Sequence, residues 1–408
     1  MDNNMITATL NRYQSPLYFF DEAAFLSNYF EFVESFKRVY PKYTLSYSYK
    51  TNYVPYVCNL VKKNGGYAEV VSDMEYTLAK KLGYSNDKIV YNGPVKGPLM
   101  EEHLLQGGIL NIDNYEEAQR VCELACRYRN EKFKIGVRIN LDVTTDFISR
   151  FGFELGSGLL EKAIQKLKMF ENIQIVGVHG HSGHARGINA WARRVEILLK
   201  AADEIVGSQP EYISLGSGMF GRMDDRLASQ FPVDIPSYQD YANTVLVPIA
   251  EHYASLHEED KPIVFTEPGA TVISAYISFA ASITSFKCIR GREIAICDGS
   301  FYNLGEICRS RHLPLDIIPS SSEKTKFDCV DIVGYTCLEN DILYKQYAGE
   351  LGIGDVVLFG NVGGYSVVSK PQFIQPNFPM VAVKENGDLI EIMRPETFED
   401  VFAKFLFI

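Results

Sequence analysis

The stretch Tyr47-Ser48-Tyr49-Lys50-Thr51-Asn52 stands where a strand gives way to a helix. Residues 43–49 are rich in aromatic and β-branched side chains, the composition of a strand. Beyond the stretch, residues 55–63 place Val57, Leu60 and Val61 on one helical face. A lysine at the C-terminal end of a barrel strand points into the mouth where such barrels do chemistry. There a desolvated amine gives up its proton more easily and can attack a carbonyl as a Schiff-base nucleophile. A single lysine at a strand end is more often a solvated surface charge, so the rest of the chain decides.

Outward from Lys50 the pattern repeats. Residues 67–71, 88–91, 109–112, 134–139, 173–179, 211–215 and 262–266 read as further strands. Helical patterns at 73–82, 115–128, 159–170 and 189–206 lie between them. Eight β-α repeats over this length fit a (β/α)8 barrel better than an open doubly wound sheet. Ahead of the barrel, Leu17-Tyr18-Phe19-Phe20 reads as a short strand followed by a helix over 21–39. After residue 270 strands dominate, at 277–286, 293–297, 329–333, 355–358 and 380–383. Turns such as Glu385-Asn386-Gly387-Asp388 give this part a hairpin-rich character. The expected fold class is thus α/β, with a TIM-like barrel at residues 31–270 followed by a C-terminal β domain at 271–408. Residues 1–30 are expected to pack with the β domain.

Composition bounds the partners. The 408 residues carry a net charge of −11, which argues against nucleic acid or an anionic membrane surface. The longest apolar run, residues 275–283, is too short and too interrupted by serine to span a bilayer. Eight cysteines without Cys-x-x-Cys spacing suggest neither a zinc site nor a disulfide framework. Buried thiols in a reducing compartment are the ordinary explanation, and a cytoplasmic protein is expected.

The remaining chemistry falls where barrel strands end. Val178-His179-Gly180-His181-Ser182-Gly183-His184 offers three histidines, open to two readings. They could bind a metal, although no carboxylate stands beside them, or one imidazole could lie flat on an aromatic cofactor. Leu215-Gly216-Ser217-Gly218 is a small-residue turn whose backbone N–H groups can cradle a phosphate. Thr266-Glu267-Pro268-Gly269 leaves a carboxylate at the barrel mouth, which needs a cationic partner if buried. An amine, a stacking imidazole, a phosphate turn and a carboxylate together suit pyridoxal phosphate, whose protonated ring is an electron sink.

On these motifs the chain resembles the fold-type III pyridoxal-phosphate enzymes of the diaminopimelate and ornithine decarboxylase group. The family's Tyr-x-x-Lys-Ala-Asn appears as Tyr47 to Asn52, and its Asp-Val-Val-Ser as Glu69-Val70-Val71-Ser72, followed by Glu75. Ser149-Arg150-Phe151-Gly152, His181-Ser182-Gly183-His184, Gly216-Ser217-Gly218 and Glu267-Pro268-Gly269 match four more motifs in order. In the β domain, Cys337 and Asp341 match the ends of a Cys-x-x-x-Asp motif, and Gly363-Gly364-Tyr365 matches Gly-Ala-Tyr.

The resemblance implies roles. Lys50 is the Schiff-base lysine, and His181 stacks on the ring. Gly216, Ser217, Gly218 and Tyr365 hold the phosphate, with His184 a further candidate. Glu267 faces the ring nitrogen. Glu69, Arg138 and Gly269 complete the cofactor contacts, and no metal is implied. Cys337 returns a proton to Cα after carbon dioxide leaves, and it does so in the partner subunit's site. A homodimer with shared active sites is therefore expected.

Departures from the family pattern bear on substrate. The family's Glu-Pro-Gly-Arg ends here in Ala270. Relatives acting on free diamino acids place Asp or Glu directly after the cysteine, where this chain has Leu338, with Glu339 one residue on. Leucine cannot pair with an ammonium, and burying that charge alone is costly. The expected substrate is an amino acid with an acylated or alkylated side chain, its carboxylate met by Arg309 or Arg311. A fold-type III racemase and a non-catalytic decarboxylase-like protein are the alternatives.

Overall fold

The computed structural model describes residues 3–143 and 147–408. These divide into two compact units, one of Phe30–Phe220 with Val233–Thr271, the other of Met1–Tyr29, Gly221–Pro232 and Val272–Ile408.

In chain order the first strand, β1 (Leu17–Asp21), belongs to the second unit. The next eight are β2 (Tyr43–Ser48), β3 (Tyr67–Val70), β4 (Ile89–Tyr91), β5 (Ile109–Ile112), β6 (Phe133–Arg138), β7 (Ile173–His179), β8 (Tyr212–Ser214) and β9 (Ile263–Thr266). They close into a parallel barrel, with β9 pairing back onto β2. The barrel expected from the sequence is present, strand for strand. Strands covered on both faces need near-continuous apolar or small residues, and Ile89-Val90-Tyr91 is buried throughout.

One aromatic ring sets the packing inside. Tyr212 lies against Gly136 of β6 and Gly177 of β7, where an added Cβ would come within 2.0 Å of its hydroxyl or 2.5 Å of its ring. Only glycine leaves that space. The buried hydroxyl donates to Asn111 Oδ1 at 2.8 Å, so its polar atom is not stranded.

The second unit is a nine-stranded mixed sheet. It adds β10 (Ile277–Ile289), β11 (Arg292–Cys297), β12 (Leu315–Ile318), β13 (Thr325–Val333), β14 (Ile342–Leu351), β15 (Val356–Phe359), β16 (Met380–Val383) and β17 (Leu389–Met393). The order is β14-β13-β11-β10-β1-β16-β17, with β15 joining β10 to β12. β1 is antiparallel to β10 and parallel to β16. Leu17, Phe19, Ala280, Leu358, Val381 and Val383 pack into one core. Several elements go beyond the sequence reading: the helices Asn3–Tyr13, Leu99–Leu105 and Tyr238–His252, and the strands β12, β14 and β17.

Candidate active site

Lys50 sits one step past the strand. β2 ends at Ser48, and a single 3-10 turn, Tyr49–Thr51, carries the lysine onto the rim. Tyr47 Oη closes this turn on the Asn52 carbonyl at 2.9 Å. Asn52 Oδ1 then accepts from Val54 N at 3.1 Å, ahead of the helix Pro55–Lys63. Ser48 stands opposite Glu69 in the β2–β3 register. That register brings three groups together: Lys50 Nζ lies 2.6 Å from Glu69 Oε2 and 2.7 Å from Ser48 Oγ, which itself donates to Oε2 at 2.5 Å.

Asn92 connects this cluster to Glu267. Its side-chain nitrogen donates to Glu69 Oε1 at 3.2 Å and to Glu267 Oε1 at 3.0 Å. Its oxygen accepts from Asn111, the residue that also takes the Tyr212 hydroxyl. Glu267, 1% exposed, is further held by Ser214 Oγ at 2.7 Å and His179 Nε2 at 3.1 Å. Burial alone would raise its carboxyl, but His179, Lys50 and Ser214 outweigh that and hold it well below the usual carboxylate range. Glu267 is therefore anionic, and its partner is a histidine rather than an Arg or Lys.

The Glu267-Pro268-Gly269 segment docks on the lysine turn. Ser48 N donates to Pro268 O at 3.2 Å, and a Cβ at Gly269 would stand 2.0 Å from Thr51 Oγ1. Gly216 (φ +62°) and Gly218 (φ +108°) occupy conformations that disfavour side chains. A Cβ there would lie 2.5 Å from Gly180 O or 2.3 Å from Ser182 O. The turn is built for glycine.

The three histidines part company. His179 points at Glu267, whereas exposed His184 stacks on Phe147 with centroids 4.3 Å apart. His181 accepts from Ser217 N through Nδ1 at 3.2 Å. Part of its surface is accessible, yet the surrounding protein, with the charges of Lys50 and Arg138, pushes its imidazole well below the ordinary value. His181 is neutral at physiological pH. Among the described residues, no group of three or more His, Cys, Asp or Glu is placed to hold a metal ion.

Arg138 is buried, paired with Asp113 at 3.0 Å and lying over the Phe151 ring. Glu75, also buried, accepts from Val71 N at 2.8 Å, and burial pushes it up to about 7. Asn92, Asn111, Asp113 and Ser214 were not legible as site residues, since nothing in their local pattern separates them from strand-end turns.

In the second unit, Cys337 lies exposed on the connection between β13 and β14. Buried Asp341 organises that connection, accepting from Thr336 N and Oγ1, Ser300 Oγ and Phe301 N at 2.6–3.1 Å. Leu338 is half-buried and Glu339 exposed. Arg309 is exposed near the Phe301 ring, and Arg311 lies 4.0 Å over Phe231. Tyr365 takes a positive φ of 57°.

A lysine at the barrel mouth, with an anionic glutamate and a glycine-built turn on neighbouring strand ends, is the set of groups that an enzyme of the Schiff-base class requires. Residues 27–274 match the pyridoxal binding domain of the pyridoxal-dependent decarboxylases. The chain belongs to that family; it is a pyridoxal-phosphate-dependent carboxy-lyase. Diaminopimelate decarboxylase of Methanocaldococcus jannaschii is 24% identical, covering 96% of this chain and 91% of that protein. L-glutamyl-[BtrI acyl-carrier protein] decarboxylase of Niallia circulans is also 24% identical, covering 99% and 96%. The crystal structure of the M. jannaschii diaminopimelate decarboxylase superposes with a TM-score of 0.83 at 22% identity, covering 98% of this chain and 94% of that one. No helix among the described residues is long and apolar enough to cross a membrane.

Proposed function

We propose that the protein decarboxylates an amino acid whose distal amine is acylated or alkylated. The observation that carries the substrate class is Leu338, directly after Cys337, where an ammonium would find no counter-charge. The acyl-carrier-linked substrate in the name of the N. circulans relative supports a modified amino acid.

The residues present fit pyridoxal phosphate. Lys50 stands at the rim, Glu267 is anionic, His181 is neutral, and positions 216 and 218 of the glycine turn leave no room for a Cβ. When bound, the cofactor accepts the electron pair left at Cα as carbon dioxide departs. Glu69 Oε2, 2.6 Å from Lys50 Nζ, is placed to take the proton that the lysine must lose before it can act as a nucleophile. Anionic Glu267 would keep a proton on the cofactor's ring nitrogen, and neutral His181 would pack on the ring without adding charge. Gly216, Ser217, Gly218, His184 and Tyr365 are the proposed phosphate contacts, and Arg138 and Gly269 are further proposed cofactor contacts. Cys337 is the proposed proton donor to Cα, in a site completed by a second copy of the chain, and Arg309 and Arg311 the proposed substrate contacts.

Carbon dioxide release, with added pyridoxal phosphate, tests this on lysine, ornithine, diaminopimelate and their N-acyl and N-alkyl derivatives in both hands. Release from the modified compounds is expected. Release confined to free diamino acids would overturn the substrate class and leave the decarboxylase standing.

A further inference from the structure

Arg194 is 0% exposed, on the helix Ile188–Ile205, and no carboxylate among the described residues lies within ion-pair distance of it. Its neighbour Arg193 is exposed and pairs with Glu196, as a surface arginine does. Arg194 instead stacks on buried Trp191 at 3.6 Å and spends its terminal nitrogens on three backbone carbonyls. Nη1 donates to Leu215 O at 2.8 Å and Ser217 O at 2.9 Å; Nη2 donates to Ser182 O at 2.9 Å. Nε has no hydrogen-bond partner. Burial pushes the guanidinium down to about 9, so it still carries its charge at neutral pH.

A buried charge with no ion pair, supported only by the field of the Glu267 carboxylate, is costly to keep. Its three carbonyls explain where it acts. In a trans peptide the C=O and N–H point in opposite directions. Pulling the carbonyls of Ser182, Leu215 and Ser217 toward Arg194 therefore turns the N–H groups of Gly183, Gly216 and Gly218 away from it. None of those three donors has an acceptor among the described residues. They belong to the two turns that flank His181, and Ser217 N between them is already committed to His181 Nδ1. The result is a set of unpaired amides on two turns packed against each other, backed by one positive charge, an arrangement that suits an anion. Ala270, meanwhile, leaves the barrel without an arginine after Glu267-Pro268-Gly269.

We propose that Arg194 is the positioning residue and counter-charge of the phosphate cradle, acting through the peptides of Gly183, Gly216 and Gly218 rather than by contact. The proposal rests on the cofactor reading above and adds to it the residue that sets phosphate affinity and phosphate charge. A phosphate monoester has a second pKa near 6. With the guanidinium behind the cradle, the bound phosphate is held as the dianion well below that value.

Two measurements test it. In the wild-type holoenzyme, the phosphorus resonance of bound pyridoxal phosphate should stay at its dianionic position from pH 8 to pH 5.5. Titration like the free cofactor's would overturn the proposal, and this needs no variant to fold. In Arg194→Gln and Arg194→Lys, apo protein should bind pyridoxal phosphate at least roughly tenfold more weakly, a loss of about 1.4 kcal/mol. Binding of pyridoxal, which lacks the phosphate, should change less than about threefold, roughly 0.7 kcal/mol. Equal weakening of both would make Arg194 a packing residue only. Wild-type protein that bound neither compound would overturn the cofactor reading itself, a result distinct from either of these.

Discussion

Lys50 and Glu69 form a 2.6 Å ion pair in which the lysine side chain is 30% exposed and the carboxylate only 1%. The amine is at the rim, and the carboxylate proposed to take its proton is beneath it. Replacing Glu69 with Gln keeps the shape and the contact to Asn92 but removes the base. Turnover by Glu69→Gln should fall by about 10²- to 10⁴-fold, the usual worth of a positioned base. Lys50→Ala should abolish turnover outright. Steady-state assays check both; unchanged turnover in Glu69→Gln would mean that Lys50 loses its proton by another route.

The glycine turn gives a paired test. Gly218→Ala must strain a φ of +108° and set a Cβ 2.3 Å from Ser182 O. Gly183→Ala meets nothing nearer than His181 Nε2 at 3.9 Å, an ordinary contact. Gly218→Ala should lose about 1–3 kcal/mol of stability and most of its cofactor on dialysis. Gly183→Ala should retain both. Thermal unfolding and the absorbance of retained cofactor read the outcome, and indistinguishable variants would contradict the geometry.

Glu75 makes stability depend on pH. Burial lifts its carboxyl from an ordinary 4.5 to about 7, against the smaller opposing effect of the Val71 N–H. The folded state thus keeps a proton that the unfolded chain releases earlier. The contribution is full below the unfolded value and is lost as pH rises through about 7, a change of about 3 kcal/mol. Gln can accept the Val71 N–H without titrating. Relative to wild type, the urea midpoint of Glu75→Gln should therefore rise between pH 5 and pH 8. A difference flat with pH would place the Glu75 carboxyl near its ordinary value.

The barrel was legible because its strands are apolar runs closed by turns, and the motif residues fall at their ends. β14 was not: it exposes Lys345 and Gln346, so its burial does not alternate cleanly. Leu99–Leu105 is too short for a helical period to stand out, and Tyr238–His252 carries Pro248 inside it. Asn92 escaped because its importance lies in two carboxylates brought together from β3 and the end of β9. Arg194 did leave a trace. Trp191, Arg194, Val195 and Leu198 follow the i, i+3, i+4, i+7 spacing of a buried helix face. An arginine on that face, beside one that is not, was the sign to read.

If Cys337 works in the partner's site, one inactive and one impaired protein should repair one another. In a mixed dimer of Lys50→Ala and Cys337→Ala chains, one site carries both substitutions and the other neither. Random exchange of subunits makes half the dimers mixed, so activity should recover to about one quarter of wild type. The assay is turnover of the mixture after dissociation and reassociation. Activity no higher than that of Cys337→Ala alone would confine each site to a single chain.

Leu338 carries the substrate argument and can be reversed. A carboxylate at this position would offer a distal ammonium the partner that leucine denies it. Leu338→Glu should raise kcat/KM for lysine or diaminopimelate relative to an N-acyl derivative by roughly ten- to a hundredfold, the worth of a hydrogen bond to a charged group. Glu339→Gln should leave that ratio unchanged, since its exposed carboxylate stands one residue beyond the position in question. If Glu339→Gln instead removed turnover of a free diamino acid, Glu339 would be the residue that meets the ammonium. The substrate would then be a free diamino acid, and the leucine a spacer that lets the next residue reach it.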